Sequence, residues 1–144
     1  MSEIKTIQLP KHTLVCKQGN SSKHLYLIVT GEVLICIMKN SAVTPISYLG
    51  PGEFIGEFSF LDNQDRSANV ITTRESQLIK INQTIIKKKF PSWLFIIAKR
   101  LSANLRNLDN VINLKGLKKK SDSSLVPLTI DEQRFFYQLI QNDT

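Results

Sequence analysis

The spacing of apolar residues changes once along this chain. Up to about residue 82 they fall in short β-branched runs divided by turn chemistry; after Asn82 they recur at helical spacing. Gln18-Gly19-Asn20-Ser21-Ser22 reads as a turn and His24 to Val29 as a strand. Thr30-Gly31-Glu32 turns the chain into the apolar strand Val33 to Met38. Lys39-Asn40-Ser41 turns it again, and Pro45 to Leu49 returns. Gly50-Pro51-Gly52-Glu53 is a further turn that delivers Phe54 and Ile55. Ala68 to Thr73 and Gln77 to Ile81 are the last two strands, broken near Arg74-Glu75. Many short strands with regular turns predict a small antiparallel barrel or sandwich.

In the second part, Pro91 fits a helix start better than an interior, so Ile85 to Lys89 is read as a separate short helix. Beyond it, Leu94, Leu101 and Leu108 fall seven apart, as do Ile97, Asn104 and Val111. This is a heptad seam with an asparagine in one core slot. It fits a helix packed on its own β domain, and equally a dimer helix whose register Asn104 fixes. Trp93 and Phe95 are expected to pack at the base of this helix. Gly116 suits its C-cap, and Lys118 to Ser124 is a polar linker. Thr129-Ile130-Asp131-Glu132 has capping-box spacing ahead of Phe135, Phe136, Leu139 and Ile140. That short amphipathic helix must either dock back on the β domain or open a further domain. The organisation expected is a β unit plus long helix over 1–114, a linker over 115–128 and a short helix over 129–141.

Composition narrows the function classes. A chain of 144 residues has room for one domain and an appendage, and a 42% hydrophobic fraction is ordinary for a globular protein. No apolar run reaches membrane-spanning length, and Met1-Ser2-Glu3-Ile4-Lys5 lacks a signal pattern. Cys16 and Cys36 lack CxxC spacing and are read as reduced and buried, which implies a cytoplasmic protein with no membrane partner. The net charge of +7 collects late, at Lys87-Lys88-Lys89, Lys99-Arg100 and Lys118-Lys119-Lys120. A solvated helix face accounts for this better than nucleic-acid binding. His12 and His24 have no acid or cysteine at ligand spacing, so no metal site is expected, and His24 is read as a strand residue. No nucleophile–base pair stands out, and no catalytic residue is assigned.

The chemistry concentrates in Gly56 to Ala68. The turn at Gly56 offers backbone N–H groups, and Arg66 offers a planar fork that suits a phosphate. Glu57 would repel a phosphate unless it faced a hydroxyl of the same ligand. A sugar phosphate with a free hydroxyl meets all three demands.

Three segments, in order, carry a resemblance. They are Leu25-Tyr26-Leu27-Ile28-Val29-Thr30-Gly31-Glu32-Val33, then Ser47 through Tyr48-Leu49-Gly50-Pro51-Gly52-Glu53-Phe54-Ile55-Gly56-Glu57, then Arg66-Ser67-Ala68. Together they resemble the cyclic-nucleotide-binding domain family, as in catabolite activators and protein kinase A regulatory subunits. The resemblance covers roughly residues 5 to 114. It implies an eight-stranded antiparallel jelly-roll barrel, a double-stranded β-helix, followed by a long C-terminal helix. It implies that Gly56 to Ala68 is the phosphate-binding cassette. Glu57 would take the ribose 2′-hydroxyl and Arg66 the cyclic phosphate, with Phe58, Ser59, Ser67 and Ala68 lining that phosphate. Ile35 and Ile46 would form walls around sugar and base, and Asn104 and Leu105 would meet the base from the long helix. Ser59 departs from the alanine common in the family. Roughly thirty residues follow the long helix, too few for the helix-turn-helix module that the activators carry.

The resemblance therefore implies a non-enzymatic sensor of a 3′,5′-cyclic nucleotide, cAMP by default and cGMP second. No other cofactor is expected. Its output would run through the long helix to a homodimer partner or to an effector domain or protein, such as a cyclic-di-GMP phosphodiesterase. The other reading is a dimerisation or docking module with a vestigial pocket.

Overall fold

The computed structural model describes residues 4–115 and 126–143. Eight strands come first: β1 (Ile4–Leu9), β2 (Leu14–Cys16), β3 (Leu25–Thr30), β4 (Val33–Lys39), β5 (Ala42–Leu49), β6 (Phe54–Ile55), β7 (Asn69–Thr72) and β8 (Ser76–Ile81). The short helix α1 (Glu57–Asp62) sits between β6 and β7. Three helices follow the strands: α2 (Gln83–Lys89), α3 (Ser92–Lys115) and α4 (Ile130–Asn142).

The strands form two antiparallel four-stranded sheets, in the orders β1-β8-β3-β6 and β2-β7-β4-β5. This is the expected eight-stranded antiparallel jelly-roll, built as two sheets. Among the described residues no strand pairs across from one sheet to the other, because the ends of both sheets are edge strands. Two of these, β2 and β6, are only three and two residues long. The double-sheet form is the other way a jelly-roll is built.

Local chemistry explains the turns and the one irregular strand. Asn40 and Ser41 both have positive φ, which makes the two-residue connection between β4 and β5 a primed hairpin turn. Pro45 is tolerated within β5 because β5 is an edge strand. The pairing also slips there, with Ile35 opposite Ser47 and Cys36 opposite Pro45.

The sheet faces decide where the core lies. Val33, Val70, Tyr26, Ile28 and Leu78 point between the sheets and form the inner core. Leu34, Cys36, Val43 and Ile71 point outward from the second sheet, where Leu128, Phe136 and Ile140 cover them. Strand β4 is thus apolar on both faces because both are buried, as in the sheets of layered α/β proteins. The terminal helix docks back on the β domain. The predicted capping box starts it: Thr129 Oγ1 accepts from Glu132 N–H at 3.2 Å, and Glu132 Oε2 accepts from Thr129 N–H at 2.8 Å. Both cysteines are free and buried, and burial pushes the Cys36 thiol up to about 11.

Helix α2 is the expected separate short helix, capped by the Asn82 side chain at 3.2 Å. Helix α3 faces the β domain with Phe95, Ser102 and Arg106, and Phe95 packs against Phe60 of α1. Trp93 is corrected: it is 60% exposed and does not pack at the helix base, because it lies on the opposite face from Phe95. Gly116 and the linker Lys118 to Ser124 lie outside the described residues.

Candidate functional site

The cassette is built on one glycine. Gly56 adopts φ 82°, a left-handed conformation that turns the chain from β6 into α1. Its carbonyl accepts from Phe60 N–H at 3.1 Å, Arg66 Nη1 at 3.0 Å and Ser59 Oγ at 3.3 Å. Asn63, also left-handed, ends the helix. A polar loop then leads to Arg66 just before β7.

Arg66 is 4% exposed. Its Nη1 also donates to Ser59 Oγ, and its Nη2 donates to the His24 carbonyl and, at 3.5 Å, to Ser22 Oγ. Its Nε is buried with no partner among the described residues. Among the described residues every acceptor around this cation is neutral, an expensive arrangement for a buried charge. The field of Arg66 reaches its neighbours. Burial pushes the Cys16 thiol up while Arg66 pulls it back, and burial, Lys80 and Arg66 together hold the His24 imidazole below its ordinary range.

The loop between β2 and β3 straps this segment in place. Gly19 N–H donates to the Arg66 carbonyl at 2.8 Å, and Arg66 N–H donates to the Asn20 carbonyl at 2.9 Å. Lys23 Nζ donates to the Gln64 carbonyl at 2.8 Å and pairs with Asp65 at 3.9 Å. Sequence reasoning does not single out Ser22 or the carbonyl of His24. A backbone carbonyl leaves no side-chain signature, and His24 sits immediately before β3 rather than within it.

The long helix also grips the cassette. Arg106 Nε pairs with the buried Asp62 of α1, and its Nη2 reaches Asp62 Oδ1 at 3.3 Å and the Asp65 carbonyl at 3.4 Å. The same guanidinium lies 5.5 Å from the centre of the Phe58 ring. The sequence does not signal the pairing of Asp62 with Arg106, since 44 residues separate them.

The residues expected at the site are only partly brought together. Gly56, Ser59 and Arg66 form one hydrogen-bonded unit. Glu57 is exposed and lines a cleft of about 460 Å³ with Leu25, Leu49, Phe54 and Leu61; Arg66 is not in its lining. Ser67 is exposed and Ala68 half-buried, both just before β7. Ile35 packs against the inner core from β4, while Ile46 is exposed on β5. Asn104 and Leu105 lie on the exposed side of α3, so the structure does not bring them to the cassette of their own chain. The helix turns about 100° per residue, and the face bearing Ser102 and Arg106 is the one that meets α1. No helix among the described residues is long and apolar enough to cross a membrane.

This chain is similar to known proteins in sequence and in fold. The Cyclic AMP receptor protein of Thermus thermophilus is 28% identical over 73% of this chain and 50% of its own length. The cAMP-activated global transcriptional regulator CRP of Escherichia coli is 34% identical over 67% of this chain and 46% of its own. The chain thus spans about half the length of these two relatives. Among solved structures, an EAL enzyme in its cAMP-bound form superimposes with a TM-score of 0.67 at 25% identity, over 79% of this chain and 31% of that one. The family model described as the cyclic nucleotide-binding domain matches residues 6–90. With that match over more than half of its length, and with Gly56, Ser59 and Arg66 joined as described, this chain belongs to the cyclic nucleotide-binding domain family.

Proposed function

We propose that the chain is a regulatory sensor that binds a 3′,5′-cyclic nucleotide, cAMP before cGMP, and catalyses nothing itself. The single observation that carries this reading is Arg66, a buried cation held only by neutral acceptors and with Nε unpartnered among the described residues. A cyclic phosphate would supply the missing negative charge. Glu57 would accept from the ribose 2′-hydroxyl, and Phe58, Ser59, Ser67 and Ala68 would line the phosphate. Ile35 and Ile46 would wall the sugar and base.

The signal would leave through α3. Ligand binding shifts a two-state equilibrium only by as much as it favours one state over the other. The Arg106–Asp62 pair gives cassette and helix a shared contact that a ligand at Arg66 can strengthen or weaken. The matching of one cAMP-bound EAL enzyme over part of its length favours an enzyme as effector.

A second reading rests on the outer side of α3. Leu94, Ile97, Leu101, Leu105 and Leu108 are each at least 39% exposed, with Asn104 among them. This is the heptad seam facing away from the β domain, and it supports a homodimer through the long helix. A dimer with a vestigial pocket would keep the seam and lose the ligand.

Thermal unfolding with cAMP, cGMP and cyclic dinucleotides, alongside sedimentation, separates the two readings. A ligand at one hundred times its dissociation constant adds about 2.7 kcal/mol of stability. A dimer that no cyclic nucleotide stabilises at millimolar concentration favours the vestigial reading.

A further inference from the structure

Ser59 occupies an unusual place beside Arg66. It lies in the first turn of α1 and is 2% exposed, so its hydroxyl has no access to bulk water. The hydroxyl satisfies itself entirely within the cassette. It accepts from Arg66 Nη1 at 2.5 Å and donates to the Gly56 carbonyl at 3.3 Å. That carbonyl accepts from the same Nη1 at 3.0 Å. One nitrogen of the guanidinium, Nη1, is therefore shared between two neutral oxygens of the protein.

A serine here could be a small residue that fills space between α1 and the sheet. Alanine would fill almost the same space, so packing alone does not explain the hydroxyl. What the hydroxyl adds is a charge-assisted hydrogen bond to the group that must bind the anion. That bond stabilises the protein while Arg66 is turned inward, and an incoming phosphate that draws on Nη1 displaces it.

We infer that Ser59 is an affinity-setting residue: its hydroxyl competes with the ligand phosphate for Arg66 and weakens cyclic-nucleotide binding. This rests on the sensor reading above. The competition has a thermodynamic signature that a purely structural serine lacks. Removing the hydroxyl lowers the stability of the ligand-free protein and raises affinity, because the same bond is lost from only one side of the binding equilibrium.

The test compares the wild-type chain, Ser59→Ala and Ser59→Thr, using calorimetric titration with cAMP and cGMP and melting without ligand. The expected result is that Ser59→Ala binds roughly three- to tenfold more tightly while melting at a lower temperature in the absence of ligand. Ser59→Thr, which keeps the hydroxyl, shows no such gain in affinity. Equal or weaker binding by Ser59→Ala, in a wild-type background that binds, overturns the inference and leaves the sensor reading standing. Absence of binding by all three proteins overturns the sensor reading itself.

Discussion

The guanidinium of Arg66 fills the space directly in front of Gly56: a Cβ built on Gly56 would lie 1.8 Å from Nη1. Two demands therefore converge on one residue. The backbone needs a left-handed φ of 82°, and the arginine needs the volume of the missing side chain. Gly56→Ala should destabilise the protein by about 1–3 kcal/mol through backbone strain alone. It should weaken nucleotide binding further by pushing Arg66 out of place. Urea unfolding and titration of the same variant measure both effects.

Asp62 and Arg106 tie α1 to α3. Asp62 is 4% exposed, so Arg106→Leu leaves a buried carboxylate without its cation and should cost about 3–5 kcal/mol. Asp62→Asn removes the charge but leaves Arg106 free to turn to water, and should cost less, about 1–3 kcal/mol. Chemical denaturation of both variants checks this order; equal losses would mean the pair is not the anchor.

Much of this fold is legible in the sequence, and the exceptions share one cause. Turns at Asn40-Ser41 and Gly50 to Glu53, the break at Pro91 and the capping box at Thr129 are local, and each stands in the structure as read. The unbroken apolar run Val33 to Met38 marks a strand, but sequence alone does not say that α4 covers its second face. At the site, Gly56, Ser59 and Arg66 are recognisable by type and spacing. Their inward hydrogen bonds, the His24 carbonyl and the Arg106–Asp62 pair are not, because those depend on contacts 7 to 44 residues apart in the chain. The heptad seam is plain in the sequence, but the direction it faces depends on which side of α3 meets α1.

His24 should make stability fall at mildly acid pH. Burial, Lys80 and Arg66 lower its folded pKa below the ordinary 6.5, so from pH 6.5 downward the unfolded chain binds more protons than the folded one. Stability is fully present above that value and is lost as pH falls towards the folded pKa. His24→Gln should flatten the change in urea midpoint between about pH 7.5 and 5.5.

Phe136 seals the outer face of the second sheet. It is 6% exposed and packs with Ile140 over Leu34, Cys36 and Ile71. Phe136→Ala should cost about 3–5 kcal/mol. It should also raise the labelling rate of the Cys36 thiol, which burial now holds at a pKa of about 11. Unchanged labelling would mean that α4 does not protect this face.

The most direct test of the sensor reading is calorimetric titration of the intact chain and Arg66→Ala with cAMP and cGMP. Saturable binding by the wild-type chain, with a loss in Arg66→Ala of at least about 1.5–3 kcal/mol, or roughly ten- to a hundredfold, is the predicted result. Undiminished affinity in Arg66→Ala would remove the arginine from the site. No binding of either nucleotide by the wild-type chain at millimolar concentration would contradict the account as a whole.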